Sequence, residues 1–444
     1  MRPNVLIVVV DSLRADRVWG GARTCQTPNL DDFRRSATAF TRAYSVASTT
    51  TPCTTSILTG TYPFVHGVHS LAGRRLGSGL PTLPELFKAS GFHTWAEMTG
   101  PLEAVTGLDR GFDEYRCREY TQWLDTQFGD ELVARLRADG NRPWFGYVHL
   151  WEVHYPRRVT GRYHRSSYGR TLYDRSVSSL DEQLGRVLDA VDDDTFVLFT
   201  ADHGEYLAQS RKNELVTRLK GPTAWLKRHV PGVKKLKRRV MPLVFRGMRG
   251  GTPTDTEGYR AWLGHGFHVY ESLVHVPLLV RGPGRFPAGS EVSSMVSHVD
   301  LFPTLASALE LGNGGPSHRG GLDLTSVLEQ GDGAARSAIY LQASGARRMN
   351  RPEQWLAGIR TERHKYVRGM FNDALPEELY DLESDPGERE NVAGKLPDVA
   401  ADLRGRLDEL MQSEATSEPA EETAYTPEEQ ALLEQRLQDL GYLD

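Results

Sequence analysis

At 444 residues, with 25% of them charged and a formal net charge of -5, the chain has room for a large buried core and lacks the basic excess of a protein built to coat nucleic acid. Its three cysteines, Cys25, Cys53 and Cys117, are an odd number in a long chain; they read as thiols in a reducing compartment, which excludes a disulfide framework. No stretch reaches the roughly 20 apolar residues of a membrane-spanning helix, and the first apolar run has no small-residue cleavage site behind it, so a cytoplasmic location is expected.

Taken in chain order, that first run, residues 5–10, is short and unbroken, as expected of a strand buried on both faces, and it ends in Asp11. Residues 28–36 have a helical pattern opened by a proline. Residues 48–63 combine a hydroxyl-rich entry, Pro52 near a helix start and Gly60 as a stop. A second strand over 144–150 ends near His154, a helix is expected over 180–191, and a third strand over 196–199 ends in Asp202, His203, Gly204 and Glu205. A fourth strand, 276–280, follows His265 and His268. Strands alternating with helices predict an α/β domain over 1–335, a doubly wound, mostly parallel sheet flanked by helices. Strand-like runs at 338–342, 355–360 and 365–367, with a helix over 399–411, predict a smaller C-terminal α+β subdomain over 336–411. Residues 412–444 then read as an acidic linker and a short terminal helix, whose expected role is docking, with the basic insertion 206–263 as a candidate seat.

The polar residues gather at the carboxyl ends of the strands, the edge where ligands bind in open α/β sheets. Asp11 alone is as readily a helix cap as a ligand. Asp202 and His203 followed by a glycine offer an oxygen and a nitrogen on a tight turn, a pattern suited to a metal. His154, His149 and His268 are each single rings beside aromatic or apolar residues and specify less. The hydroxyls before Pro52 are either an N-cap or a nucleophile at a helix N-terminus, where free backbone N–H groups hold an anionic group.

Between Glu205 and His265 lies a basic insertion, 206–263. Thirteen Lys and Arg residues fall between 211 and 249, interleaved with apolar residues at steps of three or four and interrupted by Pro231 and Pro242. It reads either as a segment lying on an anionic membrane surface or as a lid whose apolar stripe packs on the domain. Both flanks carry candidate site residues, which places the insertion over the mouth of the pocket.

These pieces, in this order, resemble the sulfatase-like branch of the alkaline phosphatase superfamily. Residues 4–16 resemble its opening metal strand; 27–30 and 40–45 resemble the approach to the nucleophile, and 58–63 the end of the nucleophile helix. Gly111-Phe112-Asp113, Asp202-His203-Gly204-Glu205, His265-Gly266 with Tyr270-Glu271, and Asp300-Leu301-Phe302-Pro303-Thr304 follow, and 378–391 resemble its closing subdomain. The resemblance implies Thr50 as nucleophile, two residues before Pro52. It implies Asp11, Thr50, Asp202 and His203 as metal ligands, and His154 and His265 as histidines on the substrate or leaving-group side.

The chain departs from arylsulfatases in a way that matters. Their nucleophile is a Cys or Ser oxidised to formylglycine, followed by Pro and Arg at fixed steps; here the stretch is Thr50-Thr51-Pro52-Cys53-Thr54. Threonine gives no such aldehyde, so no formylglycine is expected, and Cys53 reads as a small buried helix residue. The lysine and histidine that the family places after the strand at 91–94 are also missing, with Thr99 and its neighbours in their stead. Ser12 and His203 replace an Asp and an Asn of calcium sulfatases, which shifts the expected divalent ion toward manganese or zinc, with magnesium or calcium still open. The resemblance then implies a phosphodiesterase, phosphomonoesterase or phosphotransferase acting through a covalent threonine intermediate on an anionic ester, small or linked to a lipid or glycan. Two other readings stand beside it: a sulfuric ester hydrolase without formylglycine, and an inactive membrane- or glycan-binding module. Peripheral contact of 211–249 with an anionic membrane is the partner expected of the insertion, and nucleic acid is not.

Overall fold

The strands, in chain order, are β1 (Val5–Val10), β2 (Thr38–Phe40), β3 (Ala43–Tyr44), β4 (His93–Met98), β5 (Glu114–Cys117), β6 (Trp144–Leu150), β7 (Phe196–Ala201), β8 (His275–Val276), β9 (Leu278–Arg281), β10 (Glu291–Val292), β11 (Val296–Ser297), β12 (Ala338–Ala343), β13 (Leu356–Thr361), β14 (His364–Gly369) and β15 (Glu378–Asp381). This computed structural model describes residues 2–21, 23–71, 74–119, 121–138, 142–207, 260, 264–282, 284–312, 320–330, 335–345, 351–414 and 425–439. The basic insertion, apart from Tyr206, Leu207 and Arg260, and residues 415–424 of the acidic linker lie outside the described residues.

The main sheet has the order β10-β2-β9-β7-β1-β6-β4-β5, and β9 alone runs against its neighbours. The expectation of a doubly wound, mostly parallel sheet holds. Its centre is β1, six apolar residues without one exposed side chain, because β6 and β7 pair with it on both edges and helices cover both faces. The smaller unit is the antiparallel sheet β12-β13-β14-β15 with the helix Pro397–Glu414 against it.

Two expected elements differ. The single strand over 276–280 is split at Pro277 into β8, which joins β3 and β11, and β9, which joins the main sheet. Proline has no N–H to donate to a ladder, so the break falls where the ladder cannot continue. The helix expected over 180–191 runs Leu172–Leu188, starting earlier because Thr171 and Asp174 form a reciprocal capping box.

The helices ahead of it are α1 (Pro28–Ser36), α2 (Thr50–Thr59), α3 (Pro63–His66), α4 (Leu83–Ala89) and α5 (Gln127–Leu136), and this long one is α6. Helix α2 is buried along its whole length. The main sheet lies on one side of it; on the other, Cys53 and Tyr62 join a second core with Tyr340, Ile359 and Tyr366 of the small sheet. Its hydroxyls must therefore be satisfied within the protein: Thr55 and Thr59 donate to the carbonyls of Thr51 (2.7 Å) and Thr55 (2.8 Å). Gly60 ends the helix in the left-handed region (φ 67°), and an ideal Cβ there would stand 2.7 Å from Phe302 Cβ, so glycine satisfies both the turn and the packing.

His66 props α2 from beneath. Its Nδ1 accepts from the Val68 N–H (3.1 Å), which leaves Nε2 to donate to Ser56 Oγ (3.0 Å), an arrangement only the neutral ring can make. Burial, then His69, pushes His66 well below the ordinary histidine value of 6.5. A histidine depressed in the folded state contributes its full stability above the unfolded value and loses it as pH falls below. The melting temperature of the wild type is therefore expected to drop more steeply from pH 7 to pH 5 than that of His66→Gln. Parallel melting curves across that range would refute it.

Candidate active site

Strands β1, β6 and β7 end level with one another, with Val10 opposite both Leu150 and Ala201. The residues that follow, Asp11, Trp151 and Asp202, are thus delivered together to the carboxyl edge of the sheet, and the Asp11 N–H donates to Leu150 O (2.8 Å). The chain turns sharply at Ser12, a non-glycine residue in the left-handed region (φ 64°), a conformation that costs about 1–3 kcal/mol. The turn brings the Ser12 N–H to Asp202 Oδ1 (3.1 Å) and its hydroxyl to Asp11 Oδ1 (2.8 Å). The His203 N–H also donates to Asp202 Oδ1 (2.7 Å).

One ligand atom from each of Asp11, Asp202 and His203 falls within 4.8 Å of the others, all three residues fully buried. His203 Nδ1 lies 2.8 Å from the Gly204 carbonyl and donates to it, which turns the lone pair of Nε2 toward the two carboxylates, 3.5 Å from Asp202 Oδ2 and 3.8 Å from Asp11 Oδ1. Asp202 Oδ2 is buried without a hydrogen-bond partner. Two carboxylates this close and this deep are not stable as a pair of anions. Burial, then the charge of Asp202, raises Asp11 well above the carboxylate range, while Asp202 is held below it, against its own burial, by His203 and then His149. An orphaned carboxylate oxygen, a second carboxylate and an imidazole of fixed tautomer together fit a divalent cation.

The Thr50 hydroxyl, at the first turn of α2, reaches the same point: it donates to Asp11 Oδ2 (3.3 Å) and lies 3.4 Å from His203 Nε2. Thr49 Oγ1 caps nothing, so the N-cap reading of this hydroxyl cluster fails. Thr54 Oγ1 is buried beside the Tyr147 hydroxyl, where the resembling family has its arginine. Cys53 donates to Ala47 O (3.0 Å) and burial pushes its thiol well up, in keeping with a packed helix residue.

The histidines separate into two groups. His265 stands over His203 with ring centroids 4.5 Å apart, and His154 is 5.1 Å from His265 and 3.9 Å from Trp151. His268 instead bonds Glu378 of the small sheet (3.0 Å) and is structural. Burial, then His265, pushes His154 well below the histidine range, so its ring is neutral at pH 7. Two participants, His149 and Arg157, carried little signal in the sequence. His149 lies 3.6 Å from Asp202 Oδ2. Glu205 approaches His265 Nδ1 (3.6 Å), and Arg157 pairs with Glu205 (3.3 Å). The run of Asp202, His203 and Glu205 was visible, but an arginine 48 positions earlier in the chain has nothing local to mark it.

Comparison with known proteins places this geometry. The Sulfatase family model matches residues 3–311. The chain belongs to the sulfatase family. A second model, N-sulphoglucosamine sulphohydrolase, C-terminal, matches residues 258–413 of this sulfatase-family protein. Arylsulfatase A of Homo sapiens is 24% identical over 492 residues, covering 90% of this chain and 86% of its own. The N-acetylglucosamine-6-O-sulfatase of Bacteroides thetaiotaomicron is 23% identical over 496 residues, covering 93% and 85%. Among solved structures, the phosphonate monoester hydrolase of Agrobacterium radiobacter has a TM-score of 0.69 at 21% identity, covering 93% of this chain and 96% of its own, which shows a shared fold. The protein is thus a sulfatase-family ester hydrolase, and members of that family use a divalent metal.

Proposed function

We propose that this sulfatase-family enzyme is a divalent-metal-dependent hydrolase or transferase of phospho-esters whose nucleophile is the Thr50 hydroxyl. The observation that carries the reading is that hydroxyl, held 3.3 Å from Asp11 and 3.4 Å from His203 in a fully buried cluster. Asp11, Asp202 and His203, with Thr50, would hold the cation, manganese or zinc before magnesium or calcium given one imidazole among the donors. A bound divalent ion supplies Lewis acidity, favouring the alkoxide form of a nearby hydroxyl and balancing charge on the ester oxygens.

Thr50 Oγ1 attacks phosphorus, forming the Thr50–phosphorus bond as the bond to the leaving oxygen breaks. Because His154 is held neutral, the proton for that oxygen is assigned to His265, whose Nδ1 faces the Glu205 carboxylate at 3.6 Å. Water or an acceptor alcohol then attacks phosphorus and frees Thr50, with the neutral His265 taking its proton. His154 serves as a hydrogen-bonding wall beside it.

A second reading, sulfate-ester hydrolysis, is favoured by the names of the relatives: arylsulfatase A and N-acetylglucosamine-6-O-sulfatase. Against it stands Thr50 itself, which gives no formylglycine. For either ester the substrate is anionic, small or borne on a glycan or lipid. The Tyr206 N–H donates to Gly264 O (2.8 Å), so the two ends of the basic insertion stand side by side next to Glu205 and His265. That supports the insertion as the element that meets the substrate's remote part, at an anionic inner membrane surface if the ester is a lipid's.

Purified protein should be offered matched aryl phosphate monoester, phosphodiester, phosphonate monoester and sulfate ester with each of Mn²⁺, Zn²⁺, Mg²⁺ and Ca²⁺. Turnover of a phosphorus ester at least tenfold above the sulfate is expected. Turnover confined to the sulfate would transfer the assignment to the second reading.

A further inference from the structure

We infer that Arg436, on the helix Pro427–Asp439 at the far end of the chain, is a positioning residue for the histidines of the active site; the inference rests on the placement of the site proposed above. This helix packs Leu433 and Leu437, both with no exposed surface, and between them Arg436 is only 8% exposed. Burying a guanidinium is unfavourable unless its donors are met. Here its Nε donates to Gly100 O (3.2 Å), a second nitrogen donates to Arg118 O, and its charge faces Glu103 and Glu119 at 3.2 Å each.

The two carbonyls are the point of the arrangement. Gly100 and Arg118 lie one or two residues past the ends of β4 and β5, on the same edge of the sheet that carries Asp11 and Asp202. Each turn touches a site histidine. Thr99 Oγ1 bonds His149 Nδ1 (2.9 Å), and Arg118 donates to the His149 carbonyl (2.6 Å); the other ring nitrogen of His149 lies 3.6 Å from Asp202 Oδ2. Gly100, left-handed at φ 68°, comes so close to Trp151 that an ideal Cβ would stand 2.9 Å from its ring, and Trp151 lies tilted against His154 with ring centroids 3.9 Å apart. One side chain thus ties both turns together, and through them the facing of His149 to Asp202 and of His154 to His265. Neither histidine touches Arg436. Its effect passes through the backbone.

The test compares Arg436→Met with Leu433→Ala in the full-length chain. Leu433→Ala loosens the packing of the helix without removing a bond to Gly100 or Arg118. Arg436→Met is expected to lower kcat roughly 10- to 100-fold, the usual cost of losing an orienting partner, with KM within about twofold. It should also move the ring signals of His149 and His154 in long-range ¹H–¹⁵N spectra and leave those of His66 in place. Leu433→Ala should lower the melting temperature and keep kcat and the ring signals. Unmoved His149 and His154 signals in Arg436→Met, or equal losses of kcat in the two variants, would make the helix a plain anchor and overturn the inference. The spectra do not depend on which residue is the nucleophile, so failure of the Thr50 assignment would show separately, as activity persisting in Thr50→Ala.

Discussion

Thr50→Ala is expected to lower turnover of the preferred ester by about 10³- to 10⁶-fold, the range seen when a covalent nucleophile is deleted and only binding and electrostatic stabilisation remain. The loss should fall on kcat. Substrate contacts through His154, His265 and the rim are unchanged by removing one hydroxyl, so KM is expected to stay within a few-fold. Stability should fall only modestly: the hydroxyl's bonds are long, 3.3 and 3.4 Å, and the buried Cγ2 methyl lost with it costs about 1 kcal/mol, partly offset by alanine's higher helix propensity. Thr50→Ser keeps the oxygen and should keep measurable activity. Rapid-quench trapping of a phosphorylated chain in the wild type, absent in Thr50→Ala, is the direct check. An alanine variant that retains more than a tenth of wild-type turnover would remove Thr50 from the mechanism.

Asp202→Asn is expected to abolish both turnover and the protein's response to metal. A ligand that binds only the folded state adds about 2.7 kcal/mol at a hundred times its dissociation constant. Wild type should therefore melt several degrees higher with the preferred ion than with chelator, and the variant should show no difference. In chelator the two effects of the amide oppose each other. Asp11, raised by burial and then by the charge of Asp202, loses that charge beside it, while the fold loses the Asp202 anion that His203 and His149 favour; the amide oxygen can keep the bonds from Ser12 and His203. Binding of the ion to the wild type should weaken as pH falls, since protonated carboxyls and imidazolium do not coordinate. A variant that still gains stability from the ion would contradict the assignment of this cluster as the cation site.

Much of this site was legible because its residues sit directly after buried strands. The runs at 5–10 and 196–199 mark their own ends, and level strand ends bring Asp11 and Asp202 together without any further information. The order of short motifs identified the family, whose own geometry then pointed to Thr50, His154 and His265. What escaped was contact between distant segments. His149 was one of the single histidines that specify little, yet it lies against Asp202, and Arg157 has no local pattern to mark its pairing with Glu205. The terminal helix was expected, but its seat against the turns after β4 and β5 was not, because Arg436, Gly100 and Arg118 are joined only by folding. His268 ran the other way: a motif neighbour of His265, it turns outward to Glu378.

The sequence by itself determined the α/β class, the buried central strand, the acidic turn at Asp202-His203 and the threonine in place of an aldehyde precursor. These follow from local pattern and residue chemistry, which a chain carries in every conformation. Only the tertiary structure decided that the carboxylates, the Thr50 hydroxyl and the His203 ring share one point, that His154 is neutral and His268 structural, and that the last helix closes on the edge of the site. Those depend on burial and on angstrom-scale distances between residues up to several hundred positions apart, and packing alone sets both.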